Sequence, residues 1–259
     1  MSPTTGGWLL YLAVLLPFIG LMLGLVLGGR NAQHVARVTM LLGFTTVSAL
    51  AWHIIESGHT LEYWLGGWAP PLGISLRADG LSMVMLLVVA VVIMAVGIYA
   101  QADFDTPQGQ PETRRPFSFW LLMLAVWGSL NLVLVSGDLF TLYVALELLT
   151  FAGVPLVSLD GRGENLRAAL RYILFALLGS LLYLLGAVLL YGAYGTLDIQ
   201  LLAGLVRPEP LTWAVLALMT VGLLAKTALF PLHIWLPPAH AGAPAAASAL
   251  LSALVIKGS

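Results

Sequence analysis

The sequence predicts an all-α fold: a polytopic bundle of transmembrane helices with the N-terminus outside and the seventh helix broken. Three observations carry that expectation. Of 259 residues, 60% are hydrophobic and only 9% charged, against about 25% charged in a soluble domain; the mean hydropathy is +0.97. Apolar runs of about 20 residues, long enough to cross a bilayer, recur along the whole chain. The arginines also alternate between sides. Arg30, Arg37, Arg114, Arg115, Arg162, Arg167 and Arg171 flank the first, third and fifth turns, whereas the intervening loops hold only Arg77 and Arg207. The positive-inside rule puts the larger group on the cytoplasmic side and the N-terminus outside.

The first span is expected at 8–28. Its lead-in, MSPTTGGWLL, lacks the positive region of a cleavable signal, so the span stays in the mature protein. The second is expected at 35–55, with His53 at its outer, interfacial end and His34 and His59 as loop histidines. "HTLEYWLGGWAPPLGISLRADG" then alternates apolar and polar residues around a Gly/Pro-rich centre, which predicts an outer hairpin. Spans follow at 80–100, 117–136 and 139–158, the last opened by Asp138 as an N-cap. "DGRGEN" is a cytoplasmic loop that lacks the lysine and the strand–loop–helix setting of a phosphate cradle. After a span at 166–192, "GTLDIQLLAGLVRPEP" reads as a short amphipathic helix at the interface. The seventh span, 211–236, breaks at Pro231, which cannot donate to the carbonyl of Thr227, and stops at Pro237-Pro238. An eighth starts near Ala245; Pro244 to Ser259 is short of a span of about 20 residues. The expectation is of a chain without its C-terminal half.

Several function classes drop out. A net charge of -1 with no basic tract gives no reason to expect nucleic acid as a partner. With no cysteine there is no disulfide, no cysteine-ligated iron–sulfur cluster and no zinc–cysteine site. No cofactor or metal is expected, and enzymatic lipid or quinone chemistry lacks a nucleophile–base pair.

What remains are charges where a membrane makes them costly. Glu147 lies nine residues after Asp138, about 13 Å along a helix and near the bilayer midplane. The chain has two lysines. Lys226 follows the apolar run "WAVLALMTVGLLA", and Lys257 lies thirteen residues past Pro244, again roughly mid-membrane. Each such charge costs about 2.5–3.5 kcal/mol at a helix centre. If the fifth and seventh spans touch, Glu147 and Lys226 pair, which leaves Lys257 without an acidic partner. Burial disfavours an ammonium, so such a lysine can exchange its proton near neutral pH. His233 and His240 lie near the break and in the turn after it; each is either a proton-passing imidazole or a turn residue bonded to a carbonyl. "AGAPAAASALLSAL" predicts a closely packed eighth helix, with Lys257 facing the protein interior. Tyr143, Thr150, Ser180, Thr220 and Thr227 are candidates to line a hydrated path.

"DLFTLYVALELL" and "KTALFPLHIWLPPAHAGAPAAASALLSALVIKG" resemble the signatures of the antiporter-like, proton-translocating membrane subunits of respiratory complex I, Mrp-type sodium/proton antiporters and membrane-bound hydrogenases. "DLFTLYVALE" leans toward the Mrp D-type and hydrogenase-associated branch. The resemblance implies a truncated version of a fourteen-helix fold with two inverted five-helix repeats. Residues 1–116 would hold the N-terminal helices and outer hairpin, and 117–259 the first repeat. It implies Glu147 and Lys226 as a modulating pair, Lys257 as central proton carrier, and His233 and His240 as links between half-channels. It further implies a multi-pass protein of a bacterial-type inner membrane, partnered by other membrane subunits and the lipid bilayer, moving H⁺ with Na⁺ as an open alternative. Two rival readings stand beside it: a stand-alone cation/proton antiporter, for which only Glu147 lies deep enough to bind a cation, and a non-pumping scaffold.

Overall fold

The computed structural model describes residues 4–105 and 113–258. In chain order these form α1 (Trp8–Leu27), α2 (Asn31–Ser57), β1 (Leu61–Trp64), β2 (Ser75–Ala78), α3 (Gly80–Asp103), α4 (Arg114–Val135), α5 (Leu139–Val157), α6 (Gly163–Tyr194), α7 (Ile199–Leu205), α8 (Pro210–Lys226), α9 (Leu236–Gly242) and α10 (Ala245–Leu250). A π-helical turn, Leu251–Val255, carries α10 into Ile256–Gly258. Six helices, α1 to α6, are long and apolar enough to cross a membrane. The six corresponding spans read from the sequence are therefore present, each displaced by only a few residues.

Burial divides these helices by role. In α4, 72% of the apolar window is buried, against 33% in α1 and α3; Trp120, Met123, Leu124 and Trp127 on α4 are fully enclosed. Thus α4 is the post around which α1, α2, α3 and α5 pack. The outer faces of the other helices present Val26, Trp52, Ile98, Leu181 and Trp213. Exposed large side chains at this density suit a hydrocarbon solvent.

The outer end is closed by short polar structure. β1 and β2 pair antiparallel in the register Leu61↔Ala78 to Trp64↔Ser75, as the alternation in that loop predicted. Isolated bridges join Leu76 to Ser136 and Asp138 to Asp198, which tie the hairpin and α7 to the start of α5. Three aspartates cap helices here: Asp79 accepts from Ser82 N at 2.9 Å, Asp138 from Thr141 N at 2.7 Å, and Asp198 from Gln200 N and Leu201 N at 3.0 Å. Each satisfies helix-end donors that lipid could not. At the opposite end Arg115 pairs with Asp160 at 2.7 Å and lies over the Phe104 ring.

The seventh span differs from its sequence reading. Its first half ends at Lys226, not at Pro231, because the chain closes a left-handed cap there: Ala228 has φ 54° and Leu229 N donates to Leu224 O at 3.1 Å. This is the 6→1 bond of a Schellman end, made without the usual glycine. Helix resumes only at Leu236. Pro237 and Pro238 begin this second piece rather than end it, since a helix's first turn needs no donor from proline.

Candidate functional site

Lys226 is the last residue of α8, and its Nζ reaches across to α5. It donates to Thr150 Oγ1 at 2.9 Å, Glu147 Oε1 at 3.1 Å and Leu146 O at 3.4 Å. An ammonium has three donors, and all three are used. The side chains are nearly dry, 5% exposed for Lys226 and 12% for Glu147. Glu147 also accepts from the hydroxyl of Ser180 on α6. Three helices thus converge on one carboxylate–ammonium pair, and the positive group sits at the C-terminal end of α8, where the helix dipole favours it.

The backbone permits that reach because α6 and α8 approach closely. Gly179 and Gly222 face each other, and a Cβ on Gly179 would lie 2.6 Å from the carbonyl oxygen of Gly222. Gly222 is one turn before Lys226 and Gly179 is beside Ser180, so the contact that admits no side chain also sets the distance between the charges. Trp235 seals the break. Its indole N–H donates to Ala225 O at 3.1 Å, capturing a carbonyl at the end of α8, and its ring stacks on Tyr172 of α6 at 4.3 Å. Beside Lys226 lies a cavity of about 10 Å³, lined by Leu146, Thr150, Tyr172 and Val255 among others. That is close to the space one water needs, with several polar partners at hand.

The other residues singled out in the sequence fall in different places. Thr150 and Ser180 belong to the pair's shell. Tyr143 is one turn away on α5 and half-buried, whereas Thr220 faces outward on α8 and Thr227 donates to Leu224 O. His240 Nδ1 lies 2.8 Å from Ser248 Oγ, linking α9 to α10 through a hydroxyl. His233 Nδ1 is buried without a hydrogen-bond partner among the described residues. Lys257 departs from expectation: it is exposed, not interior. The π turn at Leu251–Val255 adds residues to one turn and rotates the phase, so that Gly258 takes the inward position. A Cβ on Gly258 would meet Leu130 at 2.9 Å and Leu149 at 3.1 Å. Trp235 and Tyr172 carry little sequence signal: a large aromatic beside a helix break and a tyrosine inside an apolar run.

Residues 136–259 match the family described as "NADH:quinone oxidoreductase/Mrp antiporter, TM". The chain is 37% identical over 204 residues to NADH-quinone oxidoreductase subunit N of Desulforudis audaxviator, covering 77% of this chain and 40% of that one. It is 31% identical over 254 residues to the D-type Na(+)/H(+) antiporter subunit of Alkalihalophilus pseudofirmus, covering 96% and 50%. Among solved structures it is similar to a chain of the membrane-bound sulfane sulfur reductase, an archaeal respiratory membrane complex. There the TM-score is 0.87 at 28% identity, over 96% of this chain and 51% of the other. The chain spans 40–50% of the length of the two relatives named.

Proposed function

We propose, from the premise that residues 136–259 are a transmembrane domain of the NADH:quinone oxidoreductase/Mrp antiporter family, that the chain moves protons as an antiporter-like subunit. Its setting is a multi-subunit respiratory, hydrogenase or Mrp-type complex in a bacterial-type inner membrane. Residues 117–259 are the translocating part and 1–116 its support. The moved ion is H⁺, with Na⁺ a second candidate. The observation that carries this reading is the Glu147–Lys226 ion pair, dry and held at a helix break.

A buried ion pair is a poor device for stability alone, because desolvation offsets its Coulombic gain. It is a good device for a relay. Closed, the pair is neutral and its field on neighbouring sites is small. Opened, Lys226 stands as an uncompensated cation beside the cavity that reaches Val255, two residues before Lys257. Opening and closing the pair therefore changes the field at Lys257, which lies exposed just beyond that cavity and is the next charged group on the route. Ser180 and Thr150 hold the two charged groups while they move, and Thr150 can keep one donor of Lys226 satisfied throughout. The break supplies the freedom, since residues 227–235 carry no continuous helix ladder. His233, whose Nδ1 has no partner among the described residues, and His240, at the turn into α10, are candidate carriers on the cytoplasmic side.

The test is Lys257→Ala in the assembled complex, in sealed vesicles, following the transmembrane pH gradient during turnover. Loss of the gradient with the complex intact supports Lys257 as carrier. An undiminished gradient removes Lys257 from the route and favours the scaffold reading.

A further inference from the structure

A second site lies at the arginine-rich end of the bundle, outside the proton route. α1, α4 and α5 leave between them a groove of about 470 Å³. Its wall is graded. Arg114, Ser118 and Ser158 line the outer end, and Leu21, Leu25 and Leu122 line the depth. The gradation follows from helix geometry: Arg114, Ser118 and Leu122 are spaced by four, so they form one stripe down α4.

Charge gives the groove a preference. Arg115, the neighbour of Arg114, is committed to Asp160 at 2.7 Å and to Phe104. Arg114 is exposed and makes no ion pair or hydrogen bond among the described residues. Among the described residues its guanidinium therefore has no partner, at the end of the bundle where the positive-inside pattern concentrates cations. A fork of donors above an apolar slot is suited to a phosphate that carries an acyl chain. Arg114 to Leu122 is about 12 Å along α4, a length over which an acyl chain can lie below a phosphate held at Arg114.

We infer that the groove between α1, α4 and α5 binds one anionic phospholipid, its phosphate on Arg114 and Ser118 and one acyl chain laid along Leu21, Leu25 and Leu122. The ligand class is a phosphodiester lipid with a net negative headgroup, held at the cytoplasmic leaflet.

The experiment uses the protein purified from membranes with the subunits that accompany it, in mild detergent, and reads bound lipid by native mass spectrometry. Phosphatidylglycerol, phosphatidylcholine and inorganic phosphate are added separately. Phosphatidylglycerol is expected to be retained about fivefold or more over phosphatidylcholine, as one arginine at the surface predicts. Arg114→Gln should abolish that preference and Arg114→Lys should keep most of it. Leu25→Trp, at an exposed position, should block both lipids by filling the slot. Equal retention of the two lipids by the native chain would overturn the inference, as would a preference that survives Arg114→Gln. Competition by inorganic phosphate as strong as by the lipid would reduce the site to a small-anion site. A partner polypeptide crosslinked into the groove from position 118 would replace the lipid as occupant.

Discussion

Removing Glu147 and Lys226 separately and together distinguishes a relay from a structural ion pair. Glu147→Leu leaves the Lys226 ammonium, whose side chain is 5% exposed, with only Thr150 and the Leu146 carbonyl as neutral acceptors. Stranding one buried charge costs about 3–5 kcal/mol. For a chain of this size that is a fall of roughly 6–20 °C in melting temperature, at about 2–4 °C per kcal/mol. Lys226→Met is milder. Glu147 is the less buried partner, 12% exposed, and keeps its bond from Ser180, so the cost is that of a hydrogen bond to a charged group, about 1.5–3 kcal/mol. The double variant strands nothing and should lie within about 1 kcal/mol of the native protein. Melting in detergent and the pH gradient in vesicles are read on all four proteins. The account predicts that the double variant regains stability and does not regain transport. A double variant that pumps normally would refute the relay. A Glu147→Leu variant that melts with the native protein would refute the reading of the pair as dry.

Three further outcomes follow from neighbouring geometry. Gly222→Ala places a methyl against the Gly179 backbone, so α6 and α8 must separate; overpacking of about 1–3 kcal/mol and loss of transport are expected, measured by melting and vesicle acidification. Trp235→Phe keeps the stack on Tyr172 and removes the indole donor to Ala225 O. Ala225 O keeps the backbone N–H of Ala228 at 3.4 Å, so the cost is that of one hydrogen bond, about 0.5–1.5 kcal/mol, and faster hydrogen exchange in the last turn of α8 is its signature. At the outer surface, the bond from Ser82 N holds the Asp79 carboxyl below its ordinary value of 3.8. A lowered folded pKa means the cap's contribution is full above pH 3.8 and is lost as pH falls through the lower folded value. Asp79→Ala should therefore narrow its difference from the native protein in melting scans only below that pH.

Much of this architecture could be read directly, and the reasons differ by element. The spans from Trp8 to Tyr194 are legible because a bilayer imposes length and apolarity at once. Glu147 and Lys226 are legible because a charge inside such a run is expensive enough to be conspicuous. Asp138 is legible as a cap from its place before an apolar run. The end of α8 is not, because Ala228 adopts its left-handed angle without the glycine that would have marked it. The Gly179–Gly222 contact joins residues far apart in sequence, and nothing local pairs them. The outward direction of Lys257 is not legible, because it depends on a π turn and no side-chain pattern in "LLSALVIK" distinguishes that turn from ordinary helix. Trp235 sits in a stretch whose prolines drew attention to the break rather than to what fills it.

The central claim is that the Glu147–Lys226 pair must open and close, with Lys226 as the charge that acts on its neighbours. Lys226→Met tests it most directly. Methionine keeps the stem against the apolar wall and carries no charge, so the pair can neither form nor open. The expected result is an assembled complex whose vesicles build no pH gradient during turnover. A gradient equal to that of the native complex would contradict the relay, and would reduce the pair to a structural contact.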